Sequence, residues 1–239
     1  MTTQAFYVDM HRLWFPTSSQ ITIPYRMKRS WEILSELKPV RLLDVGFEDI
    51  QVTRVMQRFV QPLDITLVDI DFMRVGGAKA AGYKAFECDV SQSPLPFPDR
   101  TFDVVYMSEV IEHLVDPDYA IQELSRVLMP NGRIVMTTPN LASWYNRLLL
   151  MIGILPVNAE VSTKRIMGRG FVRLGQGKRP VGHLRLFTCQ ALRELLSSSG
   201  LKIERLEGYS DDRVPFDAFF RGVPSLSSGM IVVASHLSK

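Results

Sequence analysis

"RLLDVGFEDI", residues 41–50, is the stretch whose reading decides the fold. Its first half is an apolar run that passes through Asp44 to Gly46, the way a buried parallel strand delivers the chain to a ligand at its carboxyl end. Its second half departs from a dinucleotide-binding turn, because Phe47, Glu48, Asp49 and Ile50 stand where further glycines would follow. Downstream, Val52, Val55, Met56 and Phe59 share one face of a helix expected over 51–60. A strand over 64–69 and a weaker helix around 72–81 come next. "YKAFECD" (83–89), "FDVVYM" (102–107) and "RIVMTT" (133–138) read as the third, fourth and fifth strands. Between the last two, Asp116 is a helix N-cap with Pro117 at the first helical position, and Ile121, Leu124 and Leu128 form the buried stripe. Pro130 and Gly132 in "MPNG" turn the chain into the fifth strand. Strands joined by helices predict an α/β fold, a Rossmann-like, seven-stranded and mostly parallel sheet with helices on both faces.

The flanks extend this frame. Upstream, Met27, Trp31 and Leu34 are spaced as one face of a helix that ends before Pro39, giving an N-terminal helical extension (1–38) ahead of the main domain (39–239). After the fifth strand, residues 141–187 are too long for an ordinary connection and rich in Arg, Lys and Gly, as expected of an inserted lid. Thr188 caps a helix over 189–199, closed by Gly200. "KIERLEG" and "GMIVVASH" then form an antiparallel pair at the sheet edge, which makes the last strand antiparallel.

Composition narrows the function classes. The chain has 239 residues, 46% of them hydrophobic, enough for one large core, and a formal net charge of +3 that permits anionic partners without requiring nucleic acid. Cys88 and Cys189 have no Cys or His neighbour at ligand spacing, so neither a disulfide framework nor a metal site is expected. The first residues show no basic segment followed by an apolar one, and "LLLMIGILPV" (148–157) is about half the length that spans a bilayer. A cytoplasmic setting is expected, with contact at a membrane surface open to the protein but not passage through it.

In an open parallel sheet ligands gather beyond the carboxyl ends of the strands. Asp44, Asp69 and Asp89 stand at three successive strand ends, and Asp69 follows Gly46 at about the interval from which a carboxylate reaches ribose hydroxyls. The segments "LLDVG", "LVDID", "ECDVSQSPLPFPDRTFDVVYMSEVIEHL", "ELSRVLMPNGRIVMTTPN" and "HLRLFT" together resemble the class I S-adenosylmethionine-dependent methyltransferases, in the small-molecule branch that includes ubiquinone-pathway enzymes. The resemblance implies S-adenosylmethionine as cofactor. Asp44, Gly46, Phe47 and Glu48 would border its methionyl part, Asp69 and Ile70 its ribose, Asp89 and Val90 its adenine, with Ser108 and Glu109 lining the pocket from the fourth strand. The family pattern has glycine where Glu48 stands. Either the turn is impaired there, or the Glu48 carboxylate faces the positive charge of the cofactor.

His113 and His183 are the candidate bases for an acceptor that must lose a proton, while a packing role for His113 and a solvated one for His183 carry equal weight. Asn140, Tyr145, Arg169, Arg173, Arg179 and Arg185 are the candidate acceptor contacts. An apolar stripe (Trp144, Leu148, Leu149, Ile152) beside these cations would suit a small-molecule or amphipathic anionic acceptor, or an anionic membrane surface. A nucleic-acid partner is not expected, because the aromatics are not interleaved with the basic residues. Two rival functions remain open: a methyltransferase-like pseudoenzyme acting as a scaffold, and a nicotinamide-dependent dehydrogenase, which lacks its pyrophosphate-binding glycines here.

Overall fold

The computed structural model describes residues 23–62, 64–169 and 179–237. Its centre is a seven-stranded sheet in the order β3-β2-β1-β4-β5-β7-β6. The strands are β1 (Arg41–Val45), β2 (Asp64–Asp69), β3 (Lys84–Glu87), β4 (Phe102–Ser108), β5 (Leu128–Pro139), β6 (Leu201–Tyr209) and β7 (Gly229–His236). Strands β1 to β5 pair in parallel, and β7 lies antiparallel between β5 and β6.

Each inner strand is apolar on both faces, and its side chains alternate between two cores. Leu42, Leu67, Val104, Tyr106, Val135 and Ile231 face one way. They meet Met27, Trp31 and Leu34 of α1 (Tyr25–Leu37), Met56 and Val60 of α2 (Ile50–Val60), and Val75 and Ala78 of α3 (Phe72–Ala80). Leu43, Val105, Met107, Ile134, Met136 and Val232 face the other way, against Ile121 and Leu124 of α4 (Pro117–Val127) and Leu192 and Leu196 of α6 (Cys189–Ser198). Helices on both sides give each alternate residue an apolar neighbour, which is why these strands read as unbroken apolar runs.

The helix α1 packs into the same core as α2 and α3, and its Ser30 hydroxyl lies 2.9 Å from the Tyr106 hydroxyl of β4. The caps follow the local sequence: the Asp49 carboxylate accepts from the Gln51 and Val52 amides, and Asp116 accepts from Tyr119. Two expectations shift. The fifth strand begins at Leu128 rather than 133, and "MPNG" is an irregularity within it, between the Phe102–Leu128 and Val104–Arg133 pairs. The third strand is shorter than 83–89, so Asp89 lies two residues beyond its end.

The insertion begins with α5 (Trp144–Met151) and is closed by an isolated bridge between Asn140 and Phe187. Its apolar stripe is corrected by the packing. Tyr145 and Leu149 are buried with Val214, and Trp144 packs against them. Leu148 and Ile152, expected on the same face, are 51% and 67% exposed, as are Leu150 and Met151 at 56% and 80%. Among the described residues no helix is long and apolar enough to cross a membrane.

Candidate cofactor and acceptor site

The carboxyl ends of β1, β2 and β4 and the chain just beyond β3 converge on one pocket. It is lined by Asp44, Gly46, Phe47, Glu48, Asp69, Ile70, Asp89, Val90, Ser108 and Glu109, together with His113. Gly46 makes the turn out of β1 at φ +72°, and a Cβ there would lie 2.3 Å from Val110 Cγ2. Glycine is therefore required at this position by both conformation and space. Glu48 is not among the described residues with positive φ, and Ile50 is already the first residue of α2. The loop needs one left-handed residue and has it; Glu48 leaves the turn intact and places a carboxyl group at the pocket wall.

The pocket is rich in acid. Burial pushes Asp44 up to about 8, with Asp69 and Glu48 adding to the shift. Burial also raises Asp69 to about 6, against the opposing pull of Arg74. The Asp69 carboxylate accepts the Asp71 amide at 2.7 Å and lies 3.6 Å from Arg74 Nη1, which also donates to the Phe47 carbonyl. Burial likewise raises Glu48, and Arg26 works against it. Asp89 accepts from the Ser91 amide and hydroxyl and from the Gln92 side chain.

Glu109 adopts φ 55°, an uncommon conformation for a non-glycine residue, and it is held there from several directions. Its carboxylate accepts from the Tyr209 hydroxyl at 3.0 Å and from Thr137 at 2.9 Å, with Arg26 Nε 3.8 Å away. The Ser108 hydroxyl lies 2.9 Å from that of Thr137.

The sequence reading missed two cations. Arg26 on α1 and Arg74 on α3 both line the pocket. Burial opposes the Arg26 charge, yet Glu109, Tyr209 and Glu48 carry its pKa above the ordinary value. Its Nε is buried with no hydrogen-bond partner among the described residues. Both arginines lie on amphipathic helices whose apolar faces already account for their sequences, so no motif marked them.

At the far end of the pocket a 3-10 turn, Ile111–His113, carries Glu112 and His113. His113 Nδ1 lies 3.1 Å from the Gly182 carbonyl, and its ring centroid is 5.0 Å from that of His183. His183 Nδ1 lies 3.0 Å from the Asn158 carbonyl. The structure thus brings the two candidate histidines together, although only His113 lines the pocket. Glu160 secures the returning chain by accepting the amides of Val181, Gly182 and His183. The Leu184 and Arg185 amides donate to the Glu112 carbonyl at 2.8 and 2.9 Å. Burial, and then Glu109, hold the Glu112 carboxyl well above the ordinary carboxylate range.

The expected acceptor contacts are not gathered at this pocket. Asn140 is fully buried; its side chain donates to Pro224 and Ser227 and accepts from Ala142. The buried Tyr145 accepts from Ser228. Arg169 is buried as well, donating to the carbonyls of Val157 and Ala159, and burial lowers its pKa. Asn140 and Tyr145 tie the start of the insertion to the chain leading into β7, and Arg169 ties the insertion to itself. Arg185 is exposed and donates to the Val115 carbonyl; Arg179 is exposed; Arg173 lies outside the described residues.

The pocket fits S-adenosylmethionine by its own chemistry. Asp69 and Asp89 present acceptors of the kind that suit ribose and adenine, Asp44 and Glu48 present carboxyl groups that a cationic ligand would draw into the ionised form, and Arg26 presents a buried donor that suits a carboxylate.

Comparison with known proteins agrees with the fold. A family model described as "Methyltransferase domain" matches residues 20–206. The 27-O-demethylrifamycin SV methyltransferase of Amycolatopsis mediterranei is 27% identical over 151 residues, covering 61% of this chain and 52% of that protein. A ubiquinone/menaquinone biosynthesis C-methyltransferase of Saccharophagus degradans is 30% identical over 135 residues, covering 53% and 49%. The chain thus spans about half the length of these curated relatives. Among solved structures, 1,6-didemethyltoxoflavin-N1-methyltransferase of Burkholderia thailandensis, with 1,6-didemethyltoxoflavin and S-adenosylhomocysteine bound, superposes with a TM-score of 0.58 at 15% identity, covering 98% of this chain and 85% of that one. The PH0226 protein of Pyrococcus horikoshii gives 0.59 at 18% identity, covering 95% and 98%. A family match across most of the chain, on a sheet of this order with its pocket at the strand ends, means that the protein belongs to the methyltransferase domain family.

Proposed function

We propose that the protein transfers a methyl group from S-adenosylmethionine to a small-molecule acceptor, and that the acceptor enters from the side of the insertion, where His113 and His183 meet. The observation that carries the reading is the convergence of Asp44, Glu48, Asp69 and Asp89 with Arg26 around the Gly46 turn. A relative named as a 27-O-demethylrifamycin SV methyltransferase and a structural neighbour holding 1,6-didemethyltoxoflavin support a small-molecule acceptor.

The bound cofactor supplies an electrophilic methyl group on a sulfonium. The chain's own work is positioning: it holds the reacting atoms in line, which in well-oriented reactions removes on the order of 7–11 kcal/mol of barrier. Asp44 and Glu48 fix the charged end of the cofactor, Asp69 and Asp89 fix the nucleoside, and Glu109, braced by Tyr209 and Thr137, keeps Arg26 directed into the pocket. A hydroxyl acceptor must also lose its proton, and His113, which lines the pocket with His183 beside it, is the imidazole that would assist.

The exposed apolar residues of α5 and the exposed Lys164, Arg165, Arg179 and Arg185 support an amphipathic, anionic acceptor or one held at an anionic membrane surface. Calorimetry with S-adenosylmethionine and S-adenosylhomocysteine tests the core of the proposal. One equivalent is expected to bind, and Asp69→Ala is expected to weaken binding by about 1.5–3 kcal/mol, the loss of a charge-assisted hydrogen bond. Absence of binding by the full chain refutes it.

A further inference from the structure

We propose that Glu112, His113 and His183 form a binding site for a divalent first-row metal ion at the acceptor end of the pocket. One ligand atom from each of the three lies within 4.8 Å of the other two, and Glu112 Oε1 is 4.0 Å from His113 Nε2. Metal–ligand bonds of about 2.0–2.2 Å put neighbouring ligands roughly 3.0–3.5 Å apart. The three groups therefore need to close by at most about 1–2 Å around an ion.

The surroundings are those of a ligand set. A metal-bound histidine ordinarily donates its second ring nitrogen to a carbonyl or carboxylate, which fixes the tautomer and aims the other nitrogen. Here both histidines present Nδ1 to a backbone carbonyl, His113 to Gly182 at 3.1 Å and His183 to Asn158 at 3.0 Å, so Nε2 is the coordinating atom of each. The carboxylate is supported in the same way: Glu112 Oε2 accepts from the Thr138 hydroxyl at 3.0 Å. Its Oε1 is buried with no hydrogen-bond partner among the described residues, in a residue only 2% exposed. An unsatisfied buried polar atom of this kind costs roughly 1–3 kcal/mol, more when charged, and a cation removes that cost.

The ligands come from two segments fastened to each other, since the Leu184 and Arg185 amides bond the Glu112 carbonyl. Two imidazoles and one carboxylate suit Zn²⁺, Co²⁺, Mn²⁺ or Fe²⁺ over Mg²⁺, which takes oxygen ligands. With three protein ligands, a coordination position remains for an acceptor oxygen. An ion there lowers the pKa of a bound hydroxyl, which replaces direct proton removal by an imidazole. That role rests on the proposed methyl transfer; the metal site itself does not.

The test uses the full chain, stripped with a chelator and dialysed. Titration with Zn²⁺ by calorimetry is expected to show one equivalent bound at micromolar affinity or tighter, and Co²⁺ to give visible d–d absorption. Glu112→Gln and His183→Ala should each weaken Zn²⁺ at least tenfold, and Thr138→Val about tenfold or more through the carboxylate's support. S-adenosylhomocysteine affinity should not change in His183→Ala, because His183 does not line the cofactor pocket. If Glu112→Gln fails to fold, His183→Ala, at a partly exposed position, decides alone. Absence of Zn²⁺ binding by the wild-type chain, or unchanged affinity in His183→Ala, overturns the site. A chain that takes Zn²⁺ through these residues yet binds no S-adenosylhomocysteine keeps the metal site and loses the methyl-transfer reading.

Discussion

Replacing Asp44 by Asn should flatten the pH dependence of stability. In the folded chain burial keeps Asp44 protonated up to about 8, whereas in the unfolded chain it ionises near pH 4. Between those values the folded state carries a proton that the unfolded state has released, so stability falls as pH rises. The contribution is complete below the unfolded value and is lost as pH climbs through the folded one, at about 1.4 kcal/mol per unit. From pH 5 to pH 7 the loss is about 2.5 kcal/mol for this one group, or roughly 5–10 °C of melting temperature for a chain of this size. Asp69 does the same up to about 6, so the wild-type slope should be steepest below that pH. In Asp44→Asn the side chain is isosteric and does not titrate, and the Asp44 share of the slope should vanish. Circular-dichroism melts of both proteins at pH 5, 6, 7 and 8, at constant ionic strength, measure the difference directly. Adding S-adenosylmethionine should stabilise the wild type more at pH 8 than at pH 6, because a cation beside Asp44 favours its ionised form. Parallel melting curves for the two proteins across this range would refute the reasoning.

Further predictions concern single positions. Glu48→Gly should loosen S-adenosylmethionine severalfold in calorimetry, since no strained backbone is relieved and a facing carboxylate is lost; tighter binding would show the loop to be an impaired glycine turn. Gly46→Ala should destabilise the chain by at least about 1–3 kcal/mol in urea unfolding, because a positive φ and the Val110 contact act together; an unchanged midpoint would contradict that packing. Arg169→Ala should reduce stability while leaving vesicle binding unchanged, as its contacts are the carbonyls of Val157 and Ala159. Met151→Asp with Ile152→Asp should weaken sedimentation with anionic vesicles, and salt should weaken it in the wild type; a wild type that never sediments removes the membrane-surface reading.

The parallel core was legible because strands covered on both faces leave unbroken apolar runs, and "RLLDV", "DITLVD" and "FDVVYMS" show them. The pocket wall was legible because strand ends carry it, so reading those ends in order recovers the residues that meet around Gly46. What helices contribute was not legible. Arg26 sits one residue before Met27 on a helix explained by its buried stripe, and nothing local says that its guanidinium turns toward Glu109. The insertion misled for a related reason. Without periodicity, a buried arginine reads like a solvated one, and Asn140 and Tyr145 look available until the chain around 224–228 arrives to engage them. Glu112 was overlooked because burial marks it, and burial of a carboxyl group in a turn has no signature in sequence.

Glu109 is gripped from opposite ends of the chain, by Arg26 of α1 and Tyr209 of β6. Tyr209 in turn rests on Gly229 of β7, where a Cβ would lie 1.9 Å from the tyrosine ring. During synthesis on the ribosome the residues that line the pocket emerge before β5, but Glu109 lacks its Tyr209 brace until the β6–β7 hairpin docks. Until then β5 is a bare edge, its Ile134, Val135 and Met136 awaiting Ala234, Val233 and Val232, and such an edge is a template for pairing with other chains. A chain halted before that hairpin therefore exposes a pairing edge beside a pocket whose Glu109 is not yet braced from β6.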